Sequence, residues 1–178
     1  VNDLPEVVGL MASEIRIACD SIKDDPNIKV VIVTGSGQAF CLDTQCLLKY
    51  VSCDWPRISL GKIELPRIAA SIAQLELPVI AAIDGKAHGI GFELALACDI
   101  RIASDTTSFC MDQIFYGMMP WDGGTQRLPR LIGRSRAISM LFTGEVISPQ
   151  QGLREGLIHG VYPPERLADE ALYLAQRI

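Results

Sequence analysis

Apolar positions follow two rhythms along this chain. From Pro5 to Ile22, Val8, Leu10, Met11, Ile15, Ile17, Ala18 and Ile22 recur near the helical period, which predicts an amphipathic helix broken by Asp24-Asp25-Pro26. Lys29-Val30-Val31-Ile32-Val33-Thr34 is instead a continuous β-branched run, the pattern of a strand buried on both faces of a parallel sheet. Gly35-Ser36-Gly37 ends it, and Ala39 to Cys46 leads into an irregular stretch, Lys49 to Gly61, read as a loop or lid. A helix is predicted from Ile63 to Leu75, then a second buried strand from Val79 to Ile83 that stops at the turn pair Asp84-Gly85. A glycine-bearing loop through Gly89 and Gly91 opens an alanine- and leucine-rich helix carrying Glu93.

The rest alternates in the same way. Asp99 to Ala103 and Phe109 to Ile114 read as short strands, and Gly117 to Thr125 as a turn-rich connection. Helices follow at Gln126 to Ile132 and Ser135 to Phe142. Another begins behind Ser148, with Pro149 at its first position. Leu157 to Val161 reads as a small strand. Pro164 to Ile178 is amphipathic, with Leu167, Ala171, Leu174 and Ala175 on one stripe. Strands alternating with helices predict an α/β fold with parallel pairings and right-handed crossovers. No repeat or interdomain linker interrupts residues 1–178, so one domain is expected.

Composition narrows the class. The chain has 178 residues, 49% apolar, which suits one domain with a substantial core. A net charge of −5 argues against a nucleic-acid footprint, and no apolar run approaches membrane-spanning length. The six cysteines form no C-x-x-C pair and there are only two histidines, so reduced thiols, no metal site and a cytoplasmic location are expected. Cys41 and Cys110 are read as packing residues.

The central stretch, Ala82 to Asp99, brings a strand end, a glycine loop and a helix N-terminus together. Unpaired N–H groups of a first helical turn favour negative charge, and Glu93 stands beside them. Gly89-Ile90-Gly91 lacks the third glycine of the dinucleotide fingerprint, so a Rossmann site is set aside.

Four segments in register resemble the crotonase superfamily, the enoyl-CoA hydratase/isomerase family. They are Val30 to Cys41; Gly85 to Asp99 with Gly89, Gly91 and Glu93-Leu94-Ala95; Gly123-Gly124-Thr125-Gln126-Arg127-Leu128-Pro129-Arg130-Leu131-Ile132-Gly133; and Thr143-Gly144-Glu145 followed by Gly156-Leu157-Ile158. The resemblance implies a spiral of ββα units, a coenzyme A thioester as substrate with no separate cofactor, and a homotrimer or hexamer. Against that pattern the chain is expected to lack an N-terminal hairpin and a C-terminal helical trimerisation segment.

The resemblance also assigns roles. Backbone N–H groups of Thr44 and Ile90 would form an oxyanion hole for the thioester enolate. Gln45, Cys46 and Leu47 would contact the CoA arm. Glu93 matches the first of the two glutamates of many hydratases; the second position holds Gln113, whose amide can orient a water but cannot take its proton. Asp43 stands where the family commonly has glycine and is expected to point away from the oxyanion. Asp112 is expected to face opposite to Gln113 and to be structural. Asp122 is a secondary candidate acid or base, its competing role being the cap of the helix after Gly123-Gly124. Hydration, double-bond isomerisation, CoA-ester hydrolysis, decarboxylation and a non-catalytic acyl-CoA-binding scaffold all stay open at this point.

Overall fold

A computed structural model describes residues 4–35, 39–41, 44, 45, 65 and 67–178. The predicted first helix forms as α1, Leu4–Lys23. The buried run beyond it gives β1, Val31–Thr34. The described part of the next helix is α2, Ala69–Ile72. Then come β2, Val79–Ile83, β3, Lys86–His88, and α3, Ile90–Ala97. The chain continues through β4, Ile100–Ser104, and β5, Ser108–Cys110, into a 3-10 helix, Asp112–Tyr116. Four helices and one strand complete it: α4, Gly124–Ile132; α5, Arg134–Thr143; α6, Pro149–Arg154; β6, Gly160–Tyr162; and α7, Pro164–Ala175.

Every strand pairing among these elements is parallel. One sheet runs β1-β2-β4-β6, and a second holds β3 and β5. Ala39 bridges Lys86 in parallel, and Lys86 is in register with Ser108. Each turn of the chain therefore lays one strand in the large sheet and one extended piece in the small one. The series is β1 with Ala39, then β2 with β3, then β4 with β5, which is the expected spiral of ββα units.

Burial explains the sequence pattern. All five residues of β2 are buried, because Ala81 and Ile83 join the main core while Ala82 packs with Ile102 against Leu167 and Ala171 of α7. A strand covered on both faces has no solvent side on which to alternate. Seven of the eight residues of α3, Ile90 to Leu96, are likewise buried, and Phe92 meets Phe109 of β5 with ring centroids 5.4 Å apart. Its far end is closed by Arg101. That buried guanidinium donates to the carbonyls of Ala95, Cys98 and Asp99, and to Leu157 at 2.9 Å. A helix C-terminus has carbonyls without intrahelical partners, and a cation beside them is favourable.

Two expectations change. Lys86–His88, read as loop, is a strand; three residues are too few to show alternation. The strand expected from Phe109 to Ile114 stops at Cys110, and the chain tightens into the 3-10 helix at Asp112. Ser148 caps α6 as expected, accepting from Gln151 N–H at 3.2 Å.

Candidate active site

Gly89 begins the site. It sits at φ +53°, a left-handed conformation that glycine adopts without a Cβ clash, and its carbonyl accepts the first intrahelical bond of α3 from Glu93 N at 3.0 Å. Ile90, the next residue, is the first of the helix, so its N–H has no partner within the helix. Glu93 lies one turn on and is wholly buried.

The Glu93 carboxylate is held at both oxygens. Oε1 accepts from the backbone N–H groups of Asp122 and Gly124, each at 2.8 Å, and Oε2 accepts from Gln113 Nε2 at 3.0 Å. Gly124 is needed for this approach: a Cβ there would stand 3.0 Å from Oε1 and from Pro120 Cβ. Burial destabilises the anion more than these donors stabilise it, so the carboxyl is pushed up to about 7. Near-neutral affinity suits a group that must take a proton and return it. Gln113 is also fully buried, and among the described residues its Oε1 has no hydrogen-bond partner.

Glu93 and Gln113, the positions matched to the family's two glutamates, are thus in contact. Thr44 is close as well. It is fully buried with helical backbone, and a Cβ placed on Gly89 would lie 3.1 Å from Thr44 N. Gln45 is exposed. Asp43, Cys46, Leu47 and the stretch from Lys49 to Gly61 lie outside the described residues.

Two expectations are corrected. Asp122 does not cap the helix after Gly123-Gly124. Its carboxylate reaches back to α2, accepting from Ala69 N at 2.6 Å and Ala70 N at 3.1 Å. Burial raises its pKa and these two donors oppose the rise. Its part in the site is played by its backbone N–H on Glu93. Asp112 does not separate from Gln113 by strand alternation, because both lie on the 3-10 helix. Gln113 turns to Glu93, whereas Asp112 accepts a hydrogen bond from Thr44 Oγ1. Nearby, Arg136 pairs with Glu145 and Glu155, Arg127 donates to the Asp122 carbonyl and Arg130 to that of Gln126.

The backbone donors on Glu93 were not foreseen. The signal was the glycine pair beside Asp122, which marks a turn and the start of a helix without showing which side chain the freed N–H groups meet. A cavity of about 370 Å³ opens between α1 and the first strand, lined by Met11, Ile15, Val33, Phe40, Cys41 and Leu94; its described lining holds none of the predicted site residues. Among the described residues no group of His, Cys, Asp or Glu could hold a metal ion, and no helix is long and apolar enough to cross a membrane.

Known proteins share this arrangement of sequence and fold. The family model for enoyl-CoA hydratase/isomerase matches residues 9–178. A crotonyl-CoA hydratase from Syntrophomonas wolfei is 37% identical over 166 residues, covering 93% of this chain and 64% of the relative. An (E)-benzylidenesuccinyl-CoA hydratase from Thauera aromatica is 37% identical over 167 residues, covering 88% of this chain and 61% of the relative. The crystal structure of an enoyl-CoA hydratase from Bacillus anthracis superimposes with a TM-score of 0.83 at 36% identity, covering 93% of this chain and 64% of that one. The chain therefore spans less than two thirds of the length of these relatives. With the match running through all three spiral units and the Glu93 site, the chain belongs to the enoyl-CoA hydratase/isomerase family.

Proposed function

We propose that this chain forms the catalytic core of an enzyme that hydrates, or shifts the double bond of, an enoyl-CoA thioester, with Glu93 as its single acid–base group. The observation that carries this reading is the seating of Glu93. One carboxylate is immobilised by two backbone donors and an amide, raised towards neutrality, and set one helical turn from Ile90 N–H.

The backbone N–H groups of Thr44 and Ile90 receive the thioester oxygen. Negative charge on that oxygen grows as the enolate forms, and losing one such donor typically costs about 10²–10³ in kcat. Gln45, Cys46 and Leu47 contact the CoA arm. In hydration, Glu93 takes a proton from water and the hydroxide oxygen bonds to C3. The C2–C3 π electrons move toward the carbonyl to give the enolate, and Glu93 returns the proton to C2. In isomerisation the same carboxylate takes a proton from C2 of a 3-enoyl thioester and gives one back at C4. Gln113 orients Glu93 through Nε2 and offers Oε1 as an acceptor to a water O–H, but it supplies no second proton. That feature favours isomerisation over fast hydration. Thioester hydrolysis, decarboxylation and acyl-CoA binding without turnover are the competing readings. The working form is proposed to be a homotrimer or hexamer.

The test is a panel of saturated, 2-enoyl, 3-enoyl and malonyl-type CoA thioesters, with products separated by chromatography and weighed by mass spectrometry. Hydrated or double-bond-shifted enoyl-CoA that disappears in Glu93→Gln supports the proposal. Free acid, lost carbon dioxide or no product with any thioester contradicts it.

A further inference from the structure

Three successive turns of the spiral meet at one point. Ala39, Lys86 and Ser108 lie side by side in the small sheet, and a few residues beyond each come Thr44, Gly89 and Asp112. The middle position carries no side chain. A Cβ there would overlap both Thr44 Oγ1 and Asp112 Oδ1, which occupy that space and hydrogen-bond to each other. Gly89 is itself pinned from below, donating its N–H to the Cys110 carbonyl at 2.9 Å. Thr44 is fully buried and Asp112 only 7% exposed, so water does not compete strongly for this bond. The residues on either side of the contact are those whose amides matter in the proposed function: Thr44 itself, and Ile90 immediately after Gly89.

We propose that Asp112 is a positioning residue. By holding Thr44 Oγ1 across Gly89 it fixes the direction of the Thr44 amide relative to that of Ile90. This rests on the reading of these two amides as the thioester-oxygen site. The hydroxyl of Thr44 is engaged by Asp112, which leaves the main-chain N–H as the donor for the thioester oxygen and lets the side chain set its aim. A carboxylate this close to a developing enolate would oppose it if its charge were directed there; donation from Thr44 draws that charge into the hydrogen bond. Because both amides survive any side-chain change at 44 or 112, the effect of breaking the pair is on their alignment. Misplacement of about 1 Å in such a site costs up to about 10²-fold in rate.

The experiment uses the chromophoric thioester 4-(dimethylamino)cinnamoyl-CoA, whose absorbance moves to the red when its carbonyl oxygen is polarised. Native protein is expected to shift it. Thr44→Val and Asp112→Ala are each expected to lose at least half of the shift and to lower kcat about 10- to 100-fold, with KM within about threefold. Thr44→Ser recovers the shift that Thr44→Val loses, and the double variant is no worse than either single one. If either single variant does not fold, Thr44→Ser and Asp112→Asn carry the comparison, the latter weakening the acceptor and reducing the shift. Variants that lose thermal stability yet keep the full shift and kcat would overturn the positioning role. Native protein that binds the probe without any shift would overturn the amide site itself, and the positioning role with it.

Discussion

Glu93→Gln separates stability from catalysis at the centre of the site. Its carboxyl has a model-peptide pKa of 4.5 and is pushed up to about 7 in the folded chain, burial being the larger cause. A pKa raised on folding means that the native state holds its proton where the unfolded state has lost it. Below about 4.5 both states are protonated and the carboxyl imposes no penalty. As pH rises from there through about 7 the penalty grows, and above 7 it is complete. With 1.36 kcal/mol per pKa unit, the full penalty is about 3 kcal/mol. The amide of Glu93→Gln removes it while keeping an oxygen for the Asp122 and Gly124 N–H groups. Its new NH₂ would face Gln113 Nε2, and a flip of Gln113 would present Oε1, which has no other partner among the described residues, as the acceptor. The variant should therefore match the native protein near pH 4 and exceed it by up to about 3 kcal/mol near pH 8, roughly 6–12 °C in Tm for a domain of this size. Activity should fall about 10²–10⁴-fold. Urea unfolding of both proteins at pH 4, 6 and 8 measures this. A stability difference that is flat with pH, or a variant less stable than the native protein at pH 8, would refute the reasoning.

Gln113→Glu puts a second carboxyl about 3 Å from the first, so the pair should share a proton over much of the neutral range; crotonyl-CoA hydration is expected to rise by about 100-fold or more (about one acid–base group's lower contribution) in a spectrophotometric assay. Asp122→Ala removes the cap of α2 and should cost about 1–2 kcal/mol by denaturant unfolding, while Asp122→Asn, which keeps an acceptor oxygen, should retain activity within about threefold; a large rate loss in Asp122→Asn would make it an acid–base group after all. Arg101→Met removes the guanidinium from the carbonyls of Ala95, Cys98, Asp99 and Leu157, leaving those of Cys98 and Leu157 without this donor in a buried setting, and unfolding should become easier by about 2–4 kcal/mol.

The parts of this protein legible in its sequence are those where one constraint dominates. Buried parallel strands such as Val79–Ile83 must be apolar throughout, and Gly89 must be glycine, so both stand out. The roles of Glu93 and Gln113 come from the family resemblance, and the structure brings the two side chains together. What was not legible depends on contacts between distant segments. The Asp122 carboxylate finds α2 some fifty residues upstream, and Asp112 finds Thr44 across two turns of the spiral. Neither partner can be read from local pattern, because an aspartate in a turn has the same signature whichever helix it caps. The strand expected from Phe109 to Ile114 ends at Cys110 because the buried residues beyond it are polar, Asp112 and Gln113, and each turns to a partner from another segment, Thr44 and Glu93.

The central claim, one carboxylate moving a proton at the carbon next to a polarised thioester, is tested most directly by hydrogen exchange. Butyryl-CoA incubated with the protein in D₂O is predicted to gain deuterium at C2, read by mass spectrometry, with the rate rising as pH passes through about 7 and falling at least about 10²-fold in Glu93→Gln. Exchange no faster than in protein-free solution, or equally fast in Glu93→Gln, would contradict it.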